Sequence, residues 1–193
     1  MKLHLLRHAQ TTANAGLCYG ITDVPVPHAA TRALAAIAAD RFLDGQHAWS
    51  CSPLKRCAGV AEAIVERRPG LDIRKDPRLA EMDFGAWEGR PWAAIPRPEL
   101  DAWTLDFADT PAGGTGETVR LFMQRVGAAF DDWRHGGRDA VWITHAGVLR
   151  AAWLLQVGGH CPAHAGQWPR RAIAFGECVT IDAAAAPVPQ EVG

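Results

Sequence analysis

Residues 3–14 read LHLLRHAQTTAN. Leu3, Leu5 and Leu6 predict a buried strand over residues 2–6. It ends on a cation and an imidazole side by side, Arg7 and His8, followed by the polar stretch 10–14. In open α/β sheets ligands bind beyond the carboxyl ends of the strands, so this pair stands where chemistry belongs. Two later stretches share the form. A short strand near 48–51 runs through Ser52-Pro53-Leu54-Lys55 to Arg56, and the strand AVWIT, 140–144, hands over to His145.

Outward from these strand ends the chain alternates. Apolar periodicity predicts helices over 29–44 and 55–67, the second stopped by Pro69-Gly70, and again over 117–134 and 145–157. Residues 76–116 are irregular and rich in Pro, Gly and Trp, with one helix near 98–107. The stretch 172–182, AIAFGECVTID, supplies one or two closing strands. Strands alternating with helices of this length imply βαβ units. The expected fold is α/β, a three-layer sandwich with a mainly parallel central sheet flanked by helices. A single domain is expected over 1–182, with 76–116 as a cap or substrate region. The low-complexity tail 183–193 is expected to be disordered.

Composition narrows the function classes. The 193 residues are 48% hydrophobic, enough for a real core in one domain. A net charge of −1 offers no global basic field for nucleic acid or an anionic membrane. No apolar run approaches the roughly 18–20 residues that span a bilayer, and the N-terminal apolar stretch is too short for a signal peptide. The five cysteines are odd in number and lack CxxC spacing, which predicts reduced thiols and a cytoplasmic location. His160, Cys161 and His164 of HCPAH form one weak cluster interrupted by Pro162, read as a loop rather than a zinc site.

Two guanidiniums and two imidazoles at three matching strand ends make a poor core and a good cradle for a phosphate dianion. Arginine forks match phosphate oxygens bidentately. The Ala146-Gly147 step opens a helix whose amides favour an anion. A histidine there can act as a nucleophile, because neutral imidazole is available near pH 7. Phosphoryl transfer also needs a proton donor for the leaving oxygen, and RLAEMDFGAWEG offers Glu81, Asp83 and Glu88. Spacing does not choose among them.

These motifs resemble the histidine phosphatase superfamily, also called the phosphoglycerate mutase-like family. Arg7-His8-Ala9-Gln10-Thr11 with Asn14 resembles its opening Arg-His-Gly-Glu-Thr and the Asn three residues on. CSPLKRCAGVA, LAEMDFGAWEG and THAGVLR resemble its later motifs in order, and the resemblance runs from residue 3 to about 155. It implies that His8 attacks phosphorus, that Arg7, Arg56 and His145 hold the phosphoryl oxygens, and that Asn14 and Ala146 help bind phosphate. Glu81 is implied as the group that protonates the leaving oxygen and then activates water. Neither metal nor cofactor is implied. Gln10 stands where the family has Glu, and Ala9 and Ala146 where it has Gly.

The short chain is similar to the phosphatase branch, most of all to the α-ribazole-5′-phosphate phosphatases. Thr22, Trp87 and Trp92, with Trp103, are the expected pocket for a small phosphorylated metabolite with a flat base. Phosphoglycerate mutase-type transfer and a non-catalytic phosphate-binding protein of the same fold are the alternatives. A cysteine-based phosphatase needs five residues between Cys and Arg, and Cys51 and Arg56 have four between them. A P-loop enzyme is excluded because no Gly-Lys-Ser/Thr follows GGTG. The sequence leaves the oligomeric state open.

Overall fold

The computed structural model describes residues 1–43, 46–159 and 161–184. Five strands form one sheet in the order β3-β2-β4-β1-β5, with β1 at Lys2–Arg7, β2 at Ala48–Cys51, β3 at Ile73–Lys75, β4 at Ala140–Thr144 and β5 at Cys178–Asp182. The first four are parallel, and β5 closes the edge antiparallel to β1. The helices are α1 His28–Arg41, α2 Lys55–Arg67, α3 Arg97–Leu105, α4 Val119–Gly136 and α5 Ala146–Gln156. Among the described residues no helix is long and apolar enough to cross a membrane.

Period-two alternation sorts the side chains of the sheet between two cores. Leu3 and Leu5 of β1 and Trp142 of β4 join Phe122, Val126 and Leu149 under α4 and α5. Leu6, Val141 and Ile143 point to the other face, against Ala35, Val60 and Ile64 of α1 and α2. All five residues of β4 are buried, as a central parallel strand covered on both faces requires. Burying each such Leu, Ile, Val or Phe side chain contributes about 1.5–3 kcal/mol. The three-layer expectation therefore holds.

The register sets the site. Arg7 lies opposite Thr144, and Cys51 opposite Ile143. Because β4 is inserted between β1 and β2, the three strand ends singled out in the sequence come to one edge side by side. Backbone bonds continue past them: the His8 amide donates to the Thr144 carbonyl at 3.1 Å, and the Ser52 amide to the Ile143 carbonyl at 2.9 Å.

One feature differs from the sequence reading. Strand β3, three residues long, is too short to leave a periodic signal. Of the one or two closing strands expected over 172–182, one forms, β5 at Cys178–Asp182. The region 76–116 contains α3 and four 3-10 turns, and Leu17 bridges to Pro91 across it. His160, Asp44 and residues 185–193, part of the loop, helix and tail expectations above, lie outside the described residues.

Candidate active site

His8 follows directly on β1 and is 2% exposed. Its Nδ1 lies 2.8 Å from the Ala9 carbonyl, which can only accept, so Nδ1 carries the proton and Nε2 the lone pair. Among the described residues no hydrogen bond engages Nε2, and the ring borders a crevice of about 420 Å³. Burial pushes its pKa down to about 3, outweighing the opposing pull of the Ala9 carbonyl, with smaller help from the charges of Arg56 and Arg7. The imidazole is thus neutral at ordinary pH, as a nucleophile must be.

Arg7 lies on the same crevice. Its Nη1 donates to the Ile173 carbonyl, and its guanidinium carbon sits 3.9 Å from the centroid of the Phe175 ring. Its Nε is shielded from solvent and without a hydrogen-bond partner. A buried donor without a partner costs about 1–3 kcal/mol, which an oxyanion in the crevice would recover.

Arg56, in the first turn of α2, is 2% exposed and also borders the crevice. It is anchored from behind: Nη1 donates to the Thr22 carbonyl at 2.8 Å, Nη2 to the Gly20 carbonyl, and Nε to His145 Nδ1 at 3.2 Å. That last bond fixes the tautomer of His145. With Nδ1 accepting, Nε2 bears the proton and donates to Ser52 Oγ at 2.7 Å. Burial, then Arg56 and His8, holds the His145 pKa well below the ordinary histidine value. The two imidazoles stand edge-on with centroids 5.2 Å apart. Yet His145 is fully buried behind the crevice wall with both nitrogens engaged. The phosphoryl contact expected of it requires that it give up one of those partners.

The structure separates the three candidate acids. Glu88 gathers the amides of Gly20, Ile21, Thr22 and Phe84 at 2.9–3.2 Å. Burial would raise its pKa, but the Thr22 side chain and these amides outweigh it and hold the carboxylate below its ordinary range. Glu88 is an anionic staple for the loop. Asp83 accepts the Gly85 amide at 2.8 Å and shapes the next turn. Glu81 alone of the three borders the crevice. Its Oε2 accepts the Gly147 amide at 3.0 Å, and its Oε1 the Met82 amide at 3.2 Å.

The α5 N-terminus therefore receives an anion, but the anion is Glu81. Ala146, expected to bind phosphate, is the first residue of that helix and does not border the crevice. Gly147 is required by the contact: a Cβ there would fall 2.1 Å from Glu81 Oε1. No residue other than glycine has positive φ among the described residues, so Ala9 and Ala146 replace family glycines without strain.

Two expected pocket residues are corrected. Trp87 is 1% exposed, donates its indole N–H to Glu99 at 2.7 Å and packs edge-on against Trp103, so it is core rather than wall. Thr22 serves Arg56 through its carbonyl and Glu88 through its amide and side chain, and lies off the crevice. Trp92 does border the crevice, with the exposed Asn14 and Gln10. Trp92 and Trp103 also border an adjoining cavity of about 330 Å³. The sequence reading missed Tyr19, Phe175 and Ser52. Only the Ser52 position, just past a strand end, carried a signal.

Comparison with known proteins agrees with this geometry. Residues 3–169 match the model of the histidine phosphatase superfamily (branch 1). The chain is 37% identical over 154 residues to the bifunctional protein Rv2228c of Mycobacterium tuberculosis, covering 76% of this chain but only 39% of that one. It is 27% identical over 171 residues to the probable phosphoglycerate mutase GpmB of Yersinia pestis, covering 86% of this chain and 78% of that one. Among solved structures, the α-ribazole phosphatase of Shigella flexneri superposes with a TM-score of 0.77 at 26% identity, over 94% of this chain and 90% of that one. With the family's motifs assembled at one sheet edge and its model matching most of the length, the chain belongs to the histidine phosphatase superfamily, branch 1.

Proposed function

We propose that the protein is a metal-independent phosphomonoester hydrolase that works through a phosphohistidine at His8. The observation that carries this reading is the state of His8: neutral, protonated on Nδ1, with Nε2 unengaged on a crevice that also holds Arg7 and Glu81. In the first step Nε2 attacks phosphorus while the ester oxygen departs and takes the proton of the Glu81 carboxyl. In the second, water attacks the phosphohistidine, gives its proton to the Glu81 carboxylate, and releases phosphate. Arg7 and Arg56 supply the fixed positive charge that such a transition state needs. Asn14, exposed on the rim, orients the substrate. His145 holds Arg56 and, on exchanging Ser52 for a phosphoryl oxygen, adds a third donor.

A small phosphorylated metabolite suits a crevice of this size. The aromatic wall next to Glu81 favours a flat leaving group, with α-ribazole 5′-phosphate as the first candidate. Hydrolysis of p-nitrophenyl phosphate in excess EDTA tests the chemistry. The wild type is expected to release phosphate and His8→Ala to lose at least about 10³-fold in kcat. Activity retained in His8→Ala would refute the mechanism. A panel with α-ribazole 5′-phosphate and 3-phosphoglycerate, scoring inorganic phosphate against phosphoryl transfer to a second acceptor, separates phosphatase from mutase.

A further inference from the structure

Glu81 belongs to two cavities at once. On one side lies the crevice with His8 and Arg7; on the other lies the cavity of about 330 Å³. The group that protonates the leaving oxygen must stand between the phosphoryl site and the leaving group. The second cavity is therefore the room into which the leaving group extends.

Its walls describe that group. Trp103, Phe107, Trp168 and Phe122 form a chain of ring contacts with centroids 4.9, 6.1 and 6.2 Å apart, and Trp92 completes the side shared with the crevice. Such a wall takes a flat or apolar body. Two of its side chains carry a polar group without a partner. Trp103 Nε1 and Arg150 Nε are both shielded from solvent, and neither has a hydrogen-bond partner. The Arg150 guanidinium makes one bond, from Nη2 to the Arg171 carbonyl at 3.3 Å. Burial lowers its pKa, and the charge that supports it is the Glu81 carboxylate. When Glu81 carries the proton it must donate, that support is gone.

Resting on the phosphatase reading, we propose that the leaving group carries an oxyanion of its own, received in this cavity by Arg150 and the Trp103 indole N–H. An oxyanion satisfies both donors and replaces the charge that Glu81 gives up on protonation. Arg150 is thus a specificity-determining residue. A leaving group that is aromatic but uncharged, α-ribazole included, uses only the walls, so on this inference an ester with an anionic leaving group displaces α-ribazole 5′-phosphate as the first candidate.

The test compares phenyl phosphate with 3- and 4-carboxyphenyl phosphate at pH 7 in the wild type, Arg150→Met, Arg150→Lys and Trp103→Phe. The readout is the ratio of kcat/KM for the better carboxylated ester to that for the plain one. The wild type is expected to favour the carboxylated ester by about tenfold or more. The preference is expected to collapse toward one in Arg150→Met, to survive in part in Arg150→Lys and to shrink in Trp103→Phe. A wild-type ratio near one, or a ratio that Arg150→Met leaves unchanged because both esters fall together, overturns the proposal. Calorimetric binding of phenylphosphonate and carboxyphenylphosphonate to the same proteins reads the same preference without turnover. Absence of hydrolysis with an Arg150-dependent preference in binding would sink the phosphatase reading and support the subsite. Equal binding of the two phosphonates would overturn the subsite.

Discussion

At the scale of single residues, His8 and His145 are both held neutral by burial beside arginines. In the unfolded chain each titrates near 6.5, so between pH 6.5 and about 3 the unfolded state binds more protons than the folded one. Stability therefore rises with pH in that window and falls on acidification. Denaturant titrations at pH 7, 6 and 5 should show a loss approaching about 1.4 kcal/mol per pH unit for each histidine. His8→Gln should flatten the slope by one proton; an unchanged slope would mean that His8 is not buried neutral. Gly147 gives a second prediction. Its missing Cβ leaves room for the Glu81 carboxylate, the movable end of a side chain, so Gly147→Ala should fold normally while displacing the acid. Its kcat on aryl phosphates should fall about 10–100-fold, with a melting temperature within a few degrees of wild type. Full activity in that variant would remove Glu81 from the proposed role. The convergence of His8, Arg7 and Arg56 on one crevice was legible because each follows a strand end in the local sequence. Arg150 and Phe175 were not, because their places depend on how α5 and the loop before β5 pack.

At the scale of elements, the segment 10–19 lines most of the crevice, and the wall that carries Glu81 comes from the loop 81–92. Its 3-10 turns rotate Trp87 inward and leave Trp92 on the wall, a distinction that aromatic content cannot reveal. Glu88 staples this loop to 20–22, the segment whose carbonyls hold Arg56. Gly20 makes the approach feasible, since a Cβ there would lie 1.7 Å from the Met82 carbonyl oxygen. Glu88→Ala should leave four amides without their acceptor and lower stability by about 3 kcal/mol, read as a shifted denaturation midpoint. Loss of the Arg56 anchor should lower phosphatase activity as well. A stable, fully active Glu88→Ala would show that the staple is dispensable. Glu81, Asp83 and Glu88 were equivalent in the sequence because all three are acids in one irregular stretch. Only the backbone path distinguishes the one that faces the crevice from the two that do not.

At the scale of the whole molecule, the strand order accounts for the site. Inserting β4 between β1 and β2 brings Arg7-His8, Arg56 and His145 from positions far apart in the chain to one edge of the sheet. The alternation of strands and helices foretold the layers, and the strand-end motifs foretold the convergence. The three-residue β3 escaped the reading, because so short a segment leaves no periodicity. The cavity beyond Glu81 escaped it too, since it exists only where α3, α4, α5 and the 165–168 turn meet. The central claim is a covalent intermediate on His8. Mixing enzyme with a 32P-labelled phosphate ester in EDTA, quenching in alkali and mapping the label by peptide mass spectrometry tests it most directly. An alkali-stable, acid-labile phosphoryl group on the peptide containing His8, absent from His8→Ala, is the predicted result. Steady hydrolysis with no label on that peptide, in a rapid-quench series resolving the first turnover, would contradict the account.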